Sequence, residues 1–298
     1  MSLPRRDRAF PLRPAPFAGL DLRGREMVVV GGTNGLGRAI ALAAVERGAV
    51  TTVVGRSMRD EPSARLRFVA GDLSLMERAV AVAAGLPVET ADVLLFTTGI
   101  FAAEAGREVT AEGLERDLAT SYLNRLAMLP GLAGRLGTAR PPGGLTPRVF
   151  VMGSPGLNEL GDVDDLNAER GYEAMKVHWN TVAGNEALVV GGAERFPGPE
   201  YFGLCPGLVR TGVRDNLRGT DSWRYHVSEL LIRVLTQSAR TYARRVLPVI
   251  FAPGLTGHSG SLFGTTGRPI LGSRGLDQEF ARRYLDASER LLRSAMQG

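Results

Sequence analysis

Tyr172 and Lys176 stand four residues apart in the stretch GYEAMKVHWN, and Lys176 is the only lysine of a 298-residue chain whose Lys and Arg total 36. On a helix that spacing turns both side chains to one face. An ammonium beside a phenol favours the phenolate and lowers its pKa, so Tyr172 could give and take a proton near neutral pH. Arginine suits the task less well, because its broad fork lacks the compact charge and flexible stem of lysine. The helix predicted to carry the pair runs from about residue 169 to 191. His178, beside Lys176, points off that face.

A second group could hold a nucleotide. Gly31-Gly32-Thr33-Asn34-Gly35-Leu36-Gly37 follows a β-branched run directly and opens a helix rich in Ala, Ile and Leu. Strand, glycine turn and helix come in the order a dinucleotide needs. Glycine lets the backbone approach a pyrophosphate, and the amides of the helix N-terminus offer partial positive charge. About twenty residues further on, the next strand ends at Gly55 and is followed by Arg56, which suits a 2′-phosphate where an acidic residue would suit ribose hydroxyls. NADP(H) is therefore predicted over NAD(H), with NAD(H) as the alternative. Asp72 and Leu73, after a third strand, lie where the chain could meet an adenine ring, although an aspartate there is also an ordinary helix cap.

These groups need a scaffold, and the hydrophobic pattern supplies one. Seven short β-branched runs (EMVVVG, VTTVVG, RLRFVAG, DVLLFTTG, RVFVMGS, EYFGLC and SGSLFG) alternate with longer segments of helical periodicity. That alternation predicts an α/β fold: a Rossmann-type, doubly wound domain over residues 21–298, about seven parallel strands with helices on both faces. Residues 1–20, rich in Arg and Pro, read as a flexible arm.

Composition narrows the function. The formal net charge is +5 and the pI about 9.8, but the arginines are scattered with no aromatic-interleaved basic run, so nucleic acid is not an expected partner. A single cysteine, Cys205, and no Cys/His spacing for a metal point to a reducing compartment, hence the cytoplasm, and to no metal. The N-terminus lacks the apolar core of a secretory signal, and four arginines interrupt the most apolar late segment, so no membrane span is expected.

Taken together, the motifs resemble the short-chain dehydrogenase/reductase family from about Leu20 to Leu292. They are the GxxxGxG turn at Gly31, Gly35 and Gly37; Asp72-Leu73; a strand ending in Ser154; Tyr172 with Lys176; and the run from Pro206 to Thr211. Asn180 and the Asp165-Leu166-Asn167 run look most like the retinol-dehydrogenase-like and WW-domain-oxidoreductase-like branch. The resemblance implies an oxidoreductase interconverting a carbonyl and an alcohol on a hydrophobic small molecule. In it Tyr172 exchanges the proton with the substrate oxygen, Lys176 holds the nicotinamide ribose and Ser154 stabilises charge on that oxygen. Pro206, Gly207, Val209 and Thr211 would meet the nicotinamide carboxamide. A lid around 208–236, with Trp223, Tyr225 and His226 as lining, would choose the substrate. Family members often pair as homodimers or homotetramers.

Three positions depart from the family pattern. Val30 replaces the threonine that usually precedes the first glycine. Phe96-Thr97-Thr98-Gly99 replaces Asn-Asn-Ala-Gly, leaving Thr98 and Gly99 as the expected cofactor contacts. Ser121 stands where an asparagine usually positions a relay water; the expectation is a relay of altered geometry, with Asn124 one turn away. These changes motivate the alternative of a nucleotide-binding member without hydride transfer, in a regulatory or non-redox tailoring role.

Overall fold

The computed structural model describes residues 4–101, 105–140, 144–207, 209–210 and 237–297. The central sheet is built from β1 (Glu26–Val30), β2 (Val50–Gly55), β3 (Leu66–Ala70), β4 (Val93–Phe96), β5 (Arg148–Met152), β6 (Glu200–Leu204), β9 (Leu262–Phe263) and β10 (Pro269–Ile270). Its order is β10-β9-β6-β5-β4-β1-β2-β3. Every neighbouring pair is parallel except β10 with β9. All seven strand expectations are met, and β10 adds an antiparallel edge that the sequence pattern did not announce. A further pair, β7 (Val209–Arg210) and β8 (Gln237–Ser238), lies outside this sheet.

Strand residues alternate between two cores, as a pleated sheet buried on both faces requires. Val28, Val30, Leu94, Phe96, Val149 and Val151 pack on one face beneath α2 (Met76–Gly85), α4 (Asn124–Leu132), α5 (Ala174–Arg195) and α7 (Gln278–Ala295). Met27, Val29, Val93, Leu95, Phe150 and Met152 pack on the other beneath α1 (Gly35–Glu46) and α6 (Ala239–Ile250). One three-residue helical turn, α3 (Arg116–Leu118), leads through a π-helical turn at Ala119–Leu123 into α4. No helix among the described residues is long and apolar enough to cross a membrane.

Two expectations need correction. The arm read as flexible is docked from Pro4 onward: Asp7 donates its amide to Pro269, Leu271 donates to Arg5, and Phe10 stacks on His258 at 4.1 Å. The free edge of β10 offers backbone groups that the arm satisfies. The helix carrying Lys176 begins at Ala174, with Glu173 as its cap, so Tyr172 precedes the helix instead of riding on it. Thr211, Trp223, Tyr225, His226 and most of the expected lid lie outside the described residues.

Candidate active site

Because β1, β4, β5 and β6 are parallel, the loops that follow them meet at one edge of the sheet. The glycine turn leaves β1, Thr97–Gly99 leaves β4, Ser154 stands two residues beyond β5, and Pro206 two beyond β6. Carboxyl edges of such sheets are where ligands bind.

The glycine turn is shaped for close approach. Gly31 and Gly35 adopt φ of 88° and 53°, which only glycine takes readily. A Cβ on Gly37 would overlap the Gly31 carbonyl and the Thr97 hydroxyl. Asn34 caps α1 without lending its side chain to the helix, so among the described residues the first-turn amides have no side-chain acceptor. That uncapped N-terminus suits a pyrophosphate. Thr33 packs against Gly55 at the end of β2, and Leu36 leans on the core beside α1.

Thr97 was not among the expected cofactor residues, yet its hydroxyl and amide both donate to the Val30 carbonyl, at 3.0 and 2.8 Å. The hydroxyl lost at Val30 is thus restored from the neighbouring strand. Phe96 is fully buried in the sheet, which an asparagine at that position would not tolerate without partners.

Arg56 is exposed just past β2 and forms no ion pair with a described residue. Its charge reaches Asp72. Burial pushes that carboxyl up, but hydrogen bonds from the Ser74 amide and hydroxyl, aided by Arg56 and Arg116, hold it below the usual carboxylate range. Asp72 therefore closes a turn into α2, while the Leu73 side chain lies in the core and its carbonyl accepts from Asn124. Gly207 has a φ of 62°, and a Cβ there would run into Thr265.

The segment carrying Tyr172 is tied down by asparagines. Asn180 accepts the Asp162 amide and donates to the carbonyls of Asp165 and Leu166, while Asn167 accepts the Glu115 amide and donates to Gly113. Tyr172 packs half-buried against Ala168, Ala174 and Val177. Its phenol is pushed up, by burial first and then by Glu115, Asp117 and Glu108. The lowered phenol expected from Lys176 is not realised in this geometry. Lys176 pairs with Glu173 at 2.9 Å, and 76% of its side chain is exposed. Ser154 is half-buried, and its hydroxyl makes no hydrogen bond to a described residue.

Ser121 has other duties than holding a water. Its hydroxyl donates to the buried Asp117 carboxylate and accepts the Ile100 amide at 2.9 Å. Asn124 is equally engaged, donating to Leu73, Thr120 and the Thr98 hydroxyl. Behind both lies Arg125, fully buried, whose guanidinium donates to the strand-end carbonyls of Thr98 and Met152 and to Asn185. Burial pushes Arg125 down to about 9, partly offset by Asp117, and it therefore remains a cation at neutral pH. A sequence signal for Arg125 existed: it falls three residues after Tyr122 and four before Leu129, on the buried stripe of its helix.

No protein-family model matches the chain. It is 40% identical over 281 residues to an uncharacterized oxidoreductase of Saccharomyces cerevisiae, spanning 93% of this chain and 91% of the yeast protein. Dehydrogenase/reductase SDR family member 12 of Bos taurus is 26% identical over 211 residues, 66% of this chain and 64% of the bovine one. The solved structure of a 3-oxoacyl (acyl-carrier-protein) reductase from Agrobacterium tumefaciens, with NADP bound, superposes with a TM-score of 0.58 at 20% identity. It covers 85% of this chain and 96% of that one. The chain belongs to the short-chain dehydrogenase/reductase family. As a family member it is an oxidoreductase enzyme of NAD(P)-binding Rossmann fold.

Proposed function

We propose that this enzyme uses NADP(H) to interconvert a carbonyl and an alcohol on a hydrophobic small molecule, with Tyr172 as acid/base, Lys176 as its partner and Ser154 on the substrate oxygen. The supporting observation is a glycine turn that no side chain could fill, set at the same sheet edge as the loops bearing Ser154 and Tyr172. Asn180 and the Asp165-Leu166-Asn167 run, read as marks of the retinol-dehydrogenase-like branch, tie down the segment that carries Tyr172.

The bound cofactor would supply hydride. Gly31, Thr33, Asn34, Gly35, Leu36 and Gly37 would hold its pyrophosphate, and Arg56 its 2′-phosphate. Asp72 and the Leu73 backbone would border the adenine, and Thr98 and Gly99 the ribose. Pro206, Gly207, Val209 and Thr211 would orient the nicotinamide. Tyr172 donates its phenolic proton to the substrate oxygen as carbonyl becomes alcohol, and Ser154 donates a hydrogen bond to the same oxygen. Lys176, on a flexible stem and exposed, leaves Glu173 to hold ribose hydroxyls and lower the phenol. Phe101, 40% exposed in the loop bonded to Ser121, and Met175, 51% exposed in the first turn of α5 after Tyr172, offer apolar surface to the substrate.

The raised phenol, the Lys176–Glu173 pair and the committed Ser121 hydroxyl favour a second reading, a nucleotide-binding protein without hydride transfer. Oxidation of NADPH with a panel of ketones and aldehydes separates the two. Turnover that falls about 100-fold or more in Tyr172→Phe supports the first. Full activity in that variant removes Tyr172, and binding of NADPH without any turnover supports the second.

A further inference from the structure

His178 lies on α5 with 18% of its side chain exposed, and the carboxylate it faces, Asp117, is fully buried. Nδ1 of His178 is 3.0 Å from Asp117 Oδ2. The other carboxylate oxygen accepts the Ser121 hydroxyl, and that hydroxyl accepts the Ile100 amide. A continuous chain of hydrogen bonds therefore runs from a solvent-touching imidazole to the backbone of the residue after Gly99. The next residue of the same loop, Phe101, lies over the His178 ring with centroids 4.6 Å apart. One imidazole thus touches this loop twice, once directly and once through two buried side chains.

A buried carboxylate is costly unless it is paired and hydrogen-bonded. The side chains bonded to Asp117 among the described residues are Ser121 and His178 alone. The charges around the pair come from every neighbouring element. Lys176 and Glu173 near the head of α5 pair with each other. Glu115, just before α3, is a second buried carboxyl, repelled by Asp117 and relieved by Arg107. Arg125 of α4 and Asp117 act on each other through space, and Tyr172 feels the charges of both Asp117 and Glu108. Of all these groups only imidazole ordinarily titrates between pH 5 and 8. In either charge state Nδ1 must carry hydrogen to serve the carboxylate, which leaves Nε2 to gain or lose the proton.

We propose that His178 is a positioning residue, acting through Asp117 and Ser121 to fix the Gly99–Ile100 backbone on the nicotinamide side of the site, and gripping harder when protonated. The inference rests on the cofactor reading above, because that reading gives the Gly99–Ile100 loop its role. The carboxylate already assists the bond from a neutral imidazole, and a proton on Nε2 adds the opposite charge, turning the hydrogen bond into an ion pair that holds the loop harder than the neutral ring does.

Two-dimensional NMR of the full chain between pH 5.5 and 8.5 tests this without depending on turnover. The Ile100 amide should follow the His178 imidazole with the same midpoint. In His178→Gln, which keeps an N–H for Asp117, the Ile100 response should disappear. Ser121→Ala breaks the chain one link later, so there the imidazole should still titrate while Ile100 stays still. An Ile100 amide that ignores pH in the wild type, or titrates unchanged in either variant, overturns the proposal. Kinetics give a second readout: the ratio of kcat at pH 6 to kcat at pH 8 should drop by about threefold or more in His178→Gln, on the order of the net contribution of one ion pair. If NADPH neither binds nor reacts, the cofactor reading fails, and the Ile100 titration still decides the His178 link.

Discussion

The two ends of the parallel sheet treat buried charge in opposite ways. At the amino end, Asp92 accepts from Arg140 at 2.9 Å, from Arg25 at 3.2 Å and from the Glu26 amide at 3.1 Å. Arg148 there donates to the Ile250 carbonyl; burial pushes it down to about 10, against the pull of Glu200 and Asp92. Around Asp92 opposite charges meet, whereas Arg148 is held by the Ile250 carbonyl and the Thr256 hydroxyl. At the carboxyl end, Arg125 is buried against carbonyls and an amide, Asp117 against a hydroxyl and an imidazole, and Lys176, Arg56 and Ser154 are left to reach outward. The amino end spends its polar groups on itself and locks the strand starts. The carboxyl end keeps groups and backbone amides open, which is the condition for binding and chemistry.

Removing Asp92 should break that contrast most visibly. Asp92→Ala leaves Arg140 and Arg25 facing a buried gap, and we expect a loss of about 3–5 kcal/mol of stability. Urea denaturation checks it, and NADPH affinity of the folded fraction should be unchanged. A smaller effect of opposite kind is expected from Gly37→Ala. Its methyl group collides with Gly31 and Thr97, an overpacking cost of about 1–3 kcal/mol that falls on the turn itself. Cofactor titration should then show affinity weakened about 10- to 100-fold, with the sheet melting nearly as before.

Arg56→Ala sharpens the comparison further, since Arg56 has no described ion-pair partner to lose. NADPH affinity should fall about tenfold with NADH affinity unchanged, as expected for one charge-assisted contact to a phosphate. An unchanged ratio removes Arg56 from cofactor choice. The smallest effect belongs to Arg38 and Asp60, a bidentate pair on the rim of the same end with side chains 39% and 20% exposed. The hydrogen bond and charge of Arg38 outweigh burial and hold the Asp60 carboxyl below its usual range. The pair's contribution is therefore present above the ordinary aspartate pKa and fades as pH falls through the lowered one. Screened by water, it should be worth only about 0.2–1 kcal/mol. Asp60→Asn should lower the urea midpoint slightly at pH 7, and the difference from the wild type should shrink as pH falls below the ordinary aspartate range.

The scaffold of the site was legible because its signals are local. Seven β-branched runs announce the strands, and the glycine turn announces the loop after β1, since backbone geometry at Gly31 and Gly35 depends on residues within one turn. The edge strand β10 escaped notice because two residues, Pro269 and Ile270, carry no periodicity. Its partner, the N-terminal arm, read as flexible for the same reason: a single strand has no signal until an edge accepts it. Tyr172 and Lys176 were placed on one helix by their spacing, but the asparagine ties from Asn167 and Asn180 hold the tyrosine segment outside it.

The sequence by itself determined the order of strands and helices, the glycine turn, and which residue types stand ready for proton and nucleotide chemistry. These follow from steric and hydrophobic patterns that repeat within a few residues. Tertiary structure decided the partners. Thr97 restores the hydroxyl missing at Val30, 67 residues away. Asp117 meets His178 across 61 positions, and Arg125 meets Asn185 across 60. Such pairs form because buried polar groups must find each other once water is gone, and which ones meet is settled only when separate elements pack.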